Sequence, residues 1–117
     1  MKFKSNLVLN IQIFLCHLTK QMHVVRKGSS VIWYDSVISS GELQWQNTLN
    51  TKNNIFFDSC DGIFVNYGWT EKDPAVAAAY ATDTRRFDVY FGIDVFGRGT
   101  LGGGGMGVDI PLKVNPF

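Results

Sequence analysis

Ser30-Val31-Ile32-Trp33-Tyr34-Asp35-Ser36 is an apolar run that turns polar at its C-terminal end. Apolar residues without alternation suit a strand covered on both faces, as in a parallel sheet. A loop is expected at Ile38–Gly41 and a short helix over Glu42–Asn50. A second run, Gly62-Ile63-Phe64-Val65-Asn66-Tyr67, again ends on polar and aromatic residues. Asp73 and Pro74 then open an alanine-rich segment that reaches Thr82. Alanine favours helix, and proline is tolerated in a first helical turn. A third strand is expected over Phe87–Phe96, rich in Val, Tyr, Phe and Ile. Gly97–Gly107 should follow it as a loop, because ordering so many glycines in a helix costs too much backbone entropy.

Upstream of the first strand, Leu7, Ile11, Phe14, Leu15, Leu18 and Met22 recur three and four residues apart. That spacing predicts a helix over Leu7–His23 with these residues on one face. Asn10 either caps this helix or lies one turn inside it, and Gly28 ends the segment. Strands alternating with helices imply right-handed βαβ units, and hence an α/β fold with a parallel sheet. About three such units leave sheet faces and edges uncovered, so the pattern suits a segment of something larger. No internal repeat and no linker interrupts it.

Composition narrows the function classes. With 45% hydrophobic and 18% charged residues, the chain is globular in type, not disordered or collagenous. A net charge of +1 names no partner, and Lys and Arg are scattered apart from Arg85-Arg86, so no nucleic-acid partner is expected. Cys16 and Cys60 form no C-x-x-C pair and are expected as buried or half-buried thiols in a reducing compartment. Met1 to Asn10 places two lysines before an apolar run, as a signal peptide does. Asn10, Gln12, His17 and Thr19 break that run, and no small-residue cleavage site follows. No stretch approaches the roughly 20 apolar residues of a membrane span, so a soluble, cytosolic chain with no membrane partner is expected.

Several motifs compete for a chemical role. Gly97-x-Gly99-x-x-Gly102 matches a dinucleotide fingerprint, but Gly103, Gly104 and Gly105 follow where that fingerprint needs a helix. No cofactor is expected. Asp88 and Asp94 have even spacing on the expected third strand and would share a face. Asp88, beside Arg86, reads as structural, whereas Asp94 lies near the strand's C-terminal end, where barrel enzymes place functional groups. His17 and His23 have no third ligand at a suitable spacing, so no metal is expected. The aromatics are more informative. Tyr34, Trp45, Tyr67, Trp69 and Phe96 fall at strand ends or in the loops after them, beside Asp35, Asn66 and Asp94. Flat apolar faces stack on pyranose rings while neighbouring amides and carboxylates bond the hydroxyls, so these positions mark the walls of a sugar site. Their alternative role is packing loops onto the sheet.

Five stretches together resemble glycoside hydrolase family 85, the cytosolic endo-β-N-acetylglucosaminidases. They are Trp33–Val37, Gly41–Asn47, Phe56–Phe64, Asn66–Trp69 and Asp88–Gly99, in the family's order between about Asn10 and Gly105. The resemblance implies a (β/α)8 TIM barrel, here incomplete, over residues 1–108, with a divergent tail at 109–117. It implies hydrolysis of the bond between the two N-acetylglucosamines at the root of an N-linked glycan or free oligosaccharide. In such enzymes the substrate's own acetamido oxygen attacks the anomeric carbon and gives an oxazoline. A glutamic acid protonates the leaving oxygen, and an asparagine two residues earlier orients the acetamide. Carried over by position, Tyr34 helps hold the acetamide and the intermediate. Trp45 and Trp69 would line the sugar subsites, with Asn66 and Asp94 as polar contacts, and Tyr67 and Phe96 join them as candidates from their place at strand ends.

The sequence also departs from the family. No Asn-x-Glu occurs anywhere in it. Asn10-Ile11-Gln12 is the nearest match, and glutamine has no acidic proton to give. Spacing to Leu18-Thr19 and Met22-His23 aligns Asn10 with the following helix instead. Pro111 and Pro116 oppose the helix with which the family continues. The chain is therefore expected to be an inactive fragment of a glycosidase. The alternatives are a non-catalytic N-glycan-binding module, or a pseudo-enzyme that associates through open sheet edges.

Overall fold

The computed structural model describes residues 5–114 of the chain. The lysines at the signal-like start and Pro116 lie outside the described residues. Three parallel strands form one sheet in the order β1 (Ile32–Tyr34), β2 (Gly62–Val65), β3 (Val89–Phe91). Helix α1 (Ser5–Val25) precedes them, α2 (Asn54–Phe57) and α3 (Asp73–Tyr80) lie in the crossovers, and α4 (Asp109–Lys113) follows. The expected α/β class with a parallel sheet is therefore present.

The strands bury their faces unequally. Trp33, Ile63 and Val89 stand in register on one face, and Tyr34, Phe64 and Tyr90 on the other. The first face packs with Leu49, Phe57, Val65, Ala77 and Ala81 into one core cluster. A second cluster joins Val8 and Leu15 of α1 to Val37 and Phe56. Trp33 packs against both, stacking on Phe56 at 4.7 Å between ring centroids. The opposite face stays open: Tyr34, Phe64 and Tyr90 are 44%, 39% and 45% exposed. The doubly covered strand expected from the apolar runs is thus covered on one face among the described residues.

Local chemistry explains where elements differ from expectation. Helix α1 is longer than Leu7–His23, and Asn10 lies inside it rather than capping it. Its buried residues are Val8 and Leu15, while Phe14 is 61% exposed, because the buried stripe is narrower than the periodicity suggested. The helix expected over Glu42–Asn50 does not form. Its place is taken by an extended loop, with an isolated antiparallel bridge between Val37 and Leu43. The N–H groups of Gln46 and Asn47 are taken by the Asp35 carboxylate, and Asn47 has φ 58°, outside the helical region.

Strand β3 covers far less than Phe87–Phe96. Before it, Arg86–Asp88 form a 3-10 turn, with Arg85 Nε donating to Asp88 at 3.0 Å. Asp88 and Asp94 therefore do not share a strand face, and the partner of Asp88 is Arg85. After β3, the Trp69 indole N–H donates to the Gly92 carbonyl, taking an acceptor that sheet pairing would use. Pro111 does not block α4: it is the third residue of that helix, where its missing N–H has no partner to lose.

Two close approaches tie the crossovers to the sheet. A Cβ at Gly62 would lie 2.6 Å from the Asp88 carbonyl oxygen, so only glycine lets β2 pass the turn before β3. Arg85 donates to the carbonyls of Phe57 (3.0 Å) and Cys60 (2.9 Å) and stacks over the Phe57 ring at 3.9 Å. The thiols separate in the same way. Cys16 is exposed, while Cys60 is buried, with its Sγ 3.2 Å from the Phe56 and Gly62 carbonyl oxygens. Burial pushes the Cys60 thiol above the ordinary cysteine value, against the lowering effect of the neighbouring backbone and Arg85. A thiol reagent at neutral pH is expected to modify Cys16 rapidly and to reach Cys60 only when denaturant is added. Equal labelling rates in the native chain would contradict this packing.

Candidate functional site

Parallel strands bring all their C-terminal ends to one edge of the sheet, and the residues after β1 and β2 meet there. Tyr34 ends β1. Its ring stacks on Phe64 at 6.0 Å, and its hydroxyl donates to Asn66 Oδ1 at 2.9 Å. Asn66 Nδ2 in turn donates to Asn47 Oδ1 at 3.0 Å, and that oxygen also accepts the Gly68 N–H at 3.2 Å. Behind this row lies Asp35, fully buried. Its Oδ2 accepts the N–H groups of Gln46 and Asn47 at 2.8 Å each, and its Oδ1 accepts Asn53 Nδ2 at 3.1 Å. Asn53 also bonds the Thr48 carbonyl and the Asn50 N–H. A buried carboxylate needs such donors, and here they come from the loop that carries Trp45.

The environment sets the state of the tyrosine. Desolvation raises the Tyr34 phenol above the ordinary tyrosine value, with smaller contributions in the same direction from Tyr67 and Asp35. A hydrogen bond from the Trp45 side chain works against them. Tyr34 is therefore neutral over the physiological range. The site pairs one neutral phenol and two amides with the half-exposed rings of Trp45 (52%) and Tyr67 (45%). Apolar faces beside uncharged hydrogen-bonding groups fit a polyhydroxylated, uncharged ligand.

The residues expected to act are not all brought together. Tyr34, Trp45, Asn66 and Tyr67 are linked by bonds or electrostatic contact at the ends of β1 and β2. Asp94 is half-buried past the end of β3, where its Oδ1 accepts the Phe96 N–H at 2.9 Å and closes its own turn. Phe96 projects from that turn, 91% exposed. Trp69 differs from the others in burial: only 4% exposed, it packs edge-on against Phe91 at 5.2 Å and bonds Gly92. Two residues of the site were not singled out by the sequence. Asn47 and Asn53 lie in an asparagine-rich stretch, and asparagine's readiness to bond nearby backbone and to adopt positive φ was the available signal.

With this arrangement in view, the comparison with known proteins is specific. Residues 2–115 match the model of glycosyl hydrolase family 85, and the chain belongs to that family. Its sequence is 53% identical over 105 residues to cytosolic endo-beta-N-acetylglucosaminidase 1 of Arabidopsis thaliana, covering 90% of this chain and 15% of that protein. The cytosolic endo-beta-N-acetylglucosaminidase of Danio rerio is 53% identical over 98 residues, or 83% of this chain and 14% of the relative. That of Homo sapiens is 48% identical over 105 residues, or 90% and 14%. The chain thus spans about one seventh of the length of these curated relatives.

Two outcomes follow from the geometry. Asp35→Ala strips the Gln46, Asn47 and Asn53 donors of their acceptor, at about 1–3 kcal/mol for each group left buried without a partner. Denaturant unfolding is expected to show that loss, together with a change in Trp45 fluorescence; an unaltered midpoint would remove Asp35 as the anchor of the loop. The second concerns pH. Because the fold favours the neutral phenol, the stability linked to Tyr34 is fully present below the ordinary tyrosine value. It is lost as pH rises through the higher folded-state value. Tyr34→Phe is therefore expected to flatten the alkaline fall in stability, read as melting temperature against pH.

Proposed function

We propose that this chain is the part of an endo-β-N-acetylglucosaminidase barrel that carries one wall of the N-glycan site. The observation that carries the reading is Tyr34. Its hydroxyl is bonded to Asn66 beside exposed Trp45 and Tyr67, at the C-terminal ends of β1 and β2. The names of the relatives support the activity, and their description as cytosolic supports a cytosolic location. Among the described residues no helix is long and apolar enough to cross a membrane. Three parallel strands with helical crossovers are consistent with an incomplete (β/α)8 barrel, in which functional groups gather at the strand C-termini.

In this reading the bond cleaved joins the two N-acetylglucosamines of an N-glycan core. The acetamido oxygen attacks the anomeric carbon, and the oxazoline so formed is later opened by water. Tyr34 and Asn66 hold the acetamide, while the Trp45 ring faces a sugar. Asp94 and Phe96 lie in the loop after β3 and would extend the wall. The reaction also needs a carboxylic acid to protonate the leaving oxygen. Asn10 and Gln12 lie in α1, and no Asn-x-Glu occurs in the sequence, so this chain supplies the wall without the acid.

One experiment separates the parts of this reading. The 117-residue chain is titrated with an N-glycan core and, separately, incubated with a high-mannose glycopeptide. Binding is expected, weakened about tenfold (~1.4 kcal/mol) by Trp45→Ala. It should be unaffected by Phe14→Ala, whose ring lies exposed on α1. No glycan should be released. Absence of binding would overturn the wall, and glycan release by a pure sample would overturn the inactivity. A second reading rests on the sheet: β1 and β3 each pair along one edge, which favours association with a complementary chain. Sedimentation as a compact monomer would remove it.

A further inference from the structure

The two ends of a side-chain amide are alike in shape, so an amide's orientation has to be read from its partners. Here a backbone group supplies the reading. The Gly68 N–H is always a donor, and it points at one Asn47 amide atom 3.2 Å away, which is therefore the oxygen. The Asn66 atom that meets the same oxygen at 3.0 Å must donate, which makes it Nδ2. The other Asn66 atom is then Oδ1, and the Tyr34 hydroxyl 2.9 Å from it is the donor. A single main-chain N–H thus sets the sense of three successive hydrogen bonds.

Asn47 is well fixed for this task. Its own N–H is bonded to buried Asp35 at 2.8 Å, and its φ of 58° is one that asparagine adopts more readily than most residues. Gly68 completes the arrangement: a Cβ there would lie 2.8 Å from Asn47 Oδ1, so a larger residue would force the two apart.

We propose that Asn47 is a positioning residue that fixes the proton direction along Asn47, Asn66 and Tyr34, so that the Tyr34 proton stays on Asn66 and the phenol oxygen, already accepting from the Trp45 side chain, offers the sugar its remaining acceptor capacity rather than its proton. The group recognised is then a hydrogen-bond donor, the N–H of a 2-acetamido substituent or a hydroxyl. A carbonyl at that point would meet lone pairs and be rejected. The identity of the ligand rests on the glycan-site reading above, whereas the proton direction rests on the hydrogen bonds alone.

The test reads the phenol directly and requires no sugar. Tyrosine Cζ carbons are labelled with carbon-13 in the full chain, and the Tyr34 signal is assigned by its loss in Tyr34→Phe. Asn47→Gly keeps the positive φ and removes only the amide. Asn66 is then free to turn Nδ2 toward the phenol, which favours the phenolate. The ionisation constant of Tyr34 is expected to rise about tenfold, one unit of pKa. Asn47→Asp, which keeps an acceptor oxygen in place, should not show that rise. An unchanged or weaker ionisation in Asn47→Gly would overturn the proposal. A second measurement needs no variant at the relay. In the unsubstituted chain the Asn66 amide protons should show a nuclear Overhauser contact to the Gly68 N–H, since both point at one oxygen. A contact to the Tyr34 ring in its place would overturn the proposal as well. Neither readout depends on glycan binding, so each reading can fail without the other.

Discussion

A carboxylate with no water around it has to be surrounded by donors, and Asp35 occupies such a place at the end of β1. Its three donors come from residues 46, 47 and 53, so satisfying the charge dictates the course of the following loop. This competes directly with helix formation over the same residues. A helical bond between neutral groups contributes about 0.5–1.5 kcal/mol, and a bond to a charged acceptor about 1.5–3 kcal/mol. The charged acceptor wins. The loop then holds Asn47 at a positive φ beside Gly68, and Tyr34 receives its partner through Asn66.

The rest of the scaffold keeps this arrangement rigid. Trp33, on the face opposite Tyr34, belongs to the packing of both core clusters and joins α1 to the sheet. Adjacent residues of one short strand therefore divide the work, with one ring buried among hydrophobic groups and the next at the site. At the N-terminal end of the sheet, Asp61 accepts the Val31 N–H at 2.7 Å and meets His23 Nε2 at 3.0 Å. The contact with half-exposed His23 adds little, but the bond to Val31 fixes the start of β1. Arg85 binds the end of α2 from the other side.

Much of this fold was legible in the sequence, and the failures have a common cause. Helices α1 and α3 and strands β1 and β2 follow from apolar periodicity and alanine content, which are local signals. The absent helix at 42–50 and the short β3 were set by contacts from elsewhere: the Asp35 carboxylate in one case, the Trp69 indole on Gly92 in the other. Of the candidate site residues, Tyr34, Trp45, Asn66 and Tyr67 come together because parallel strands bring their C-terminal ends to one edge of the sheet. Position alone could not tell Trp69 from Trp45. Both follow a strand, yet one indole is buried against Phe91 and the other is exposed. Asn47 carried only the weak signal of an asparagine in a turn-rich stretch: its partner lies 21 residues away, and no spacing rule marks such a pair.

Short strands also explain why the site depends so heavily on side-chain bonds. With three or four residues each, β1, β2 and β3 give few ladder hydrogen bonds with which to hold the loops after them. The loops are instead tied to one another by amides and one carboxylate, in an order that crosses β1 and β2. Such a net has one stable arrangement only if every donor meets an acceptor, since a half-satisfied buried network costs more than none. The uncharged members, Asn47, Asn66 and Tyr34, lie toward the open face, and the charged one lies behind them. That placement gives the exposed side of the net a fixed geometry without a fixed charge, so selection there acts through the direction of hydrogen bonds rather than through electrostatic attraction.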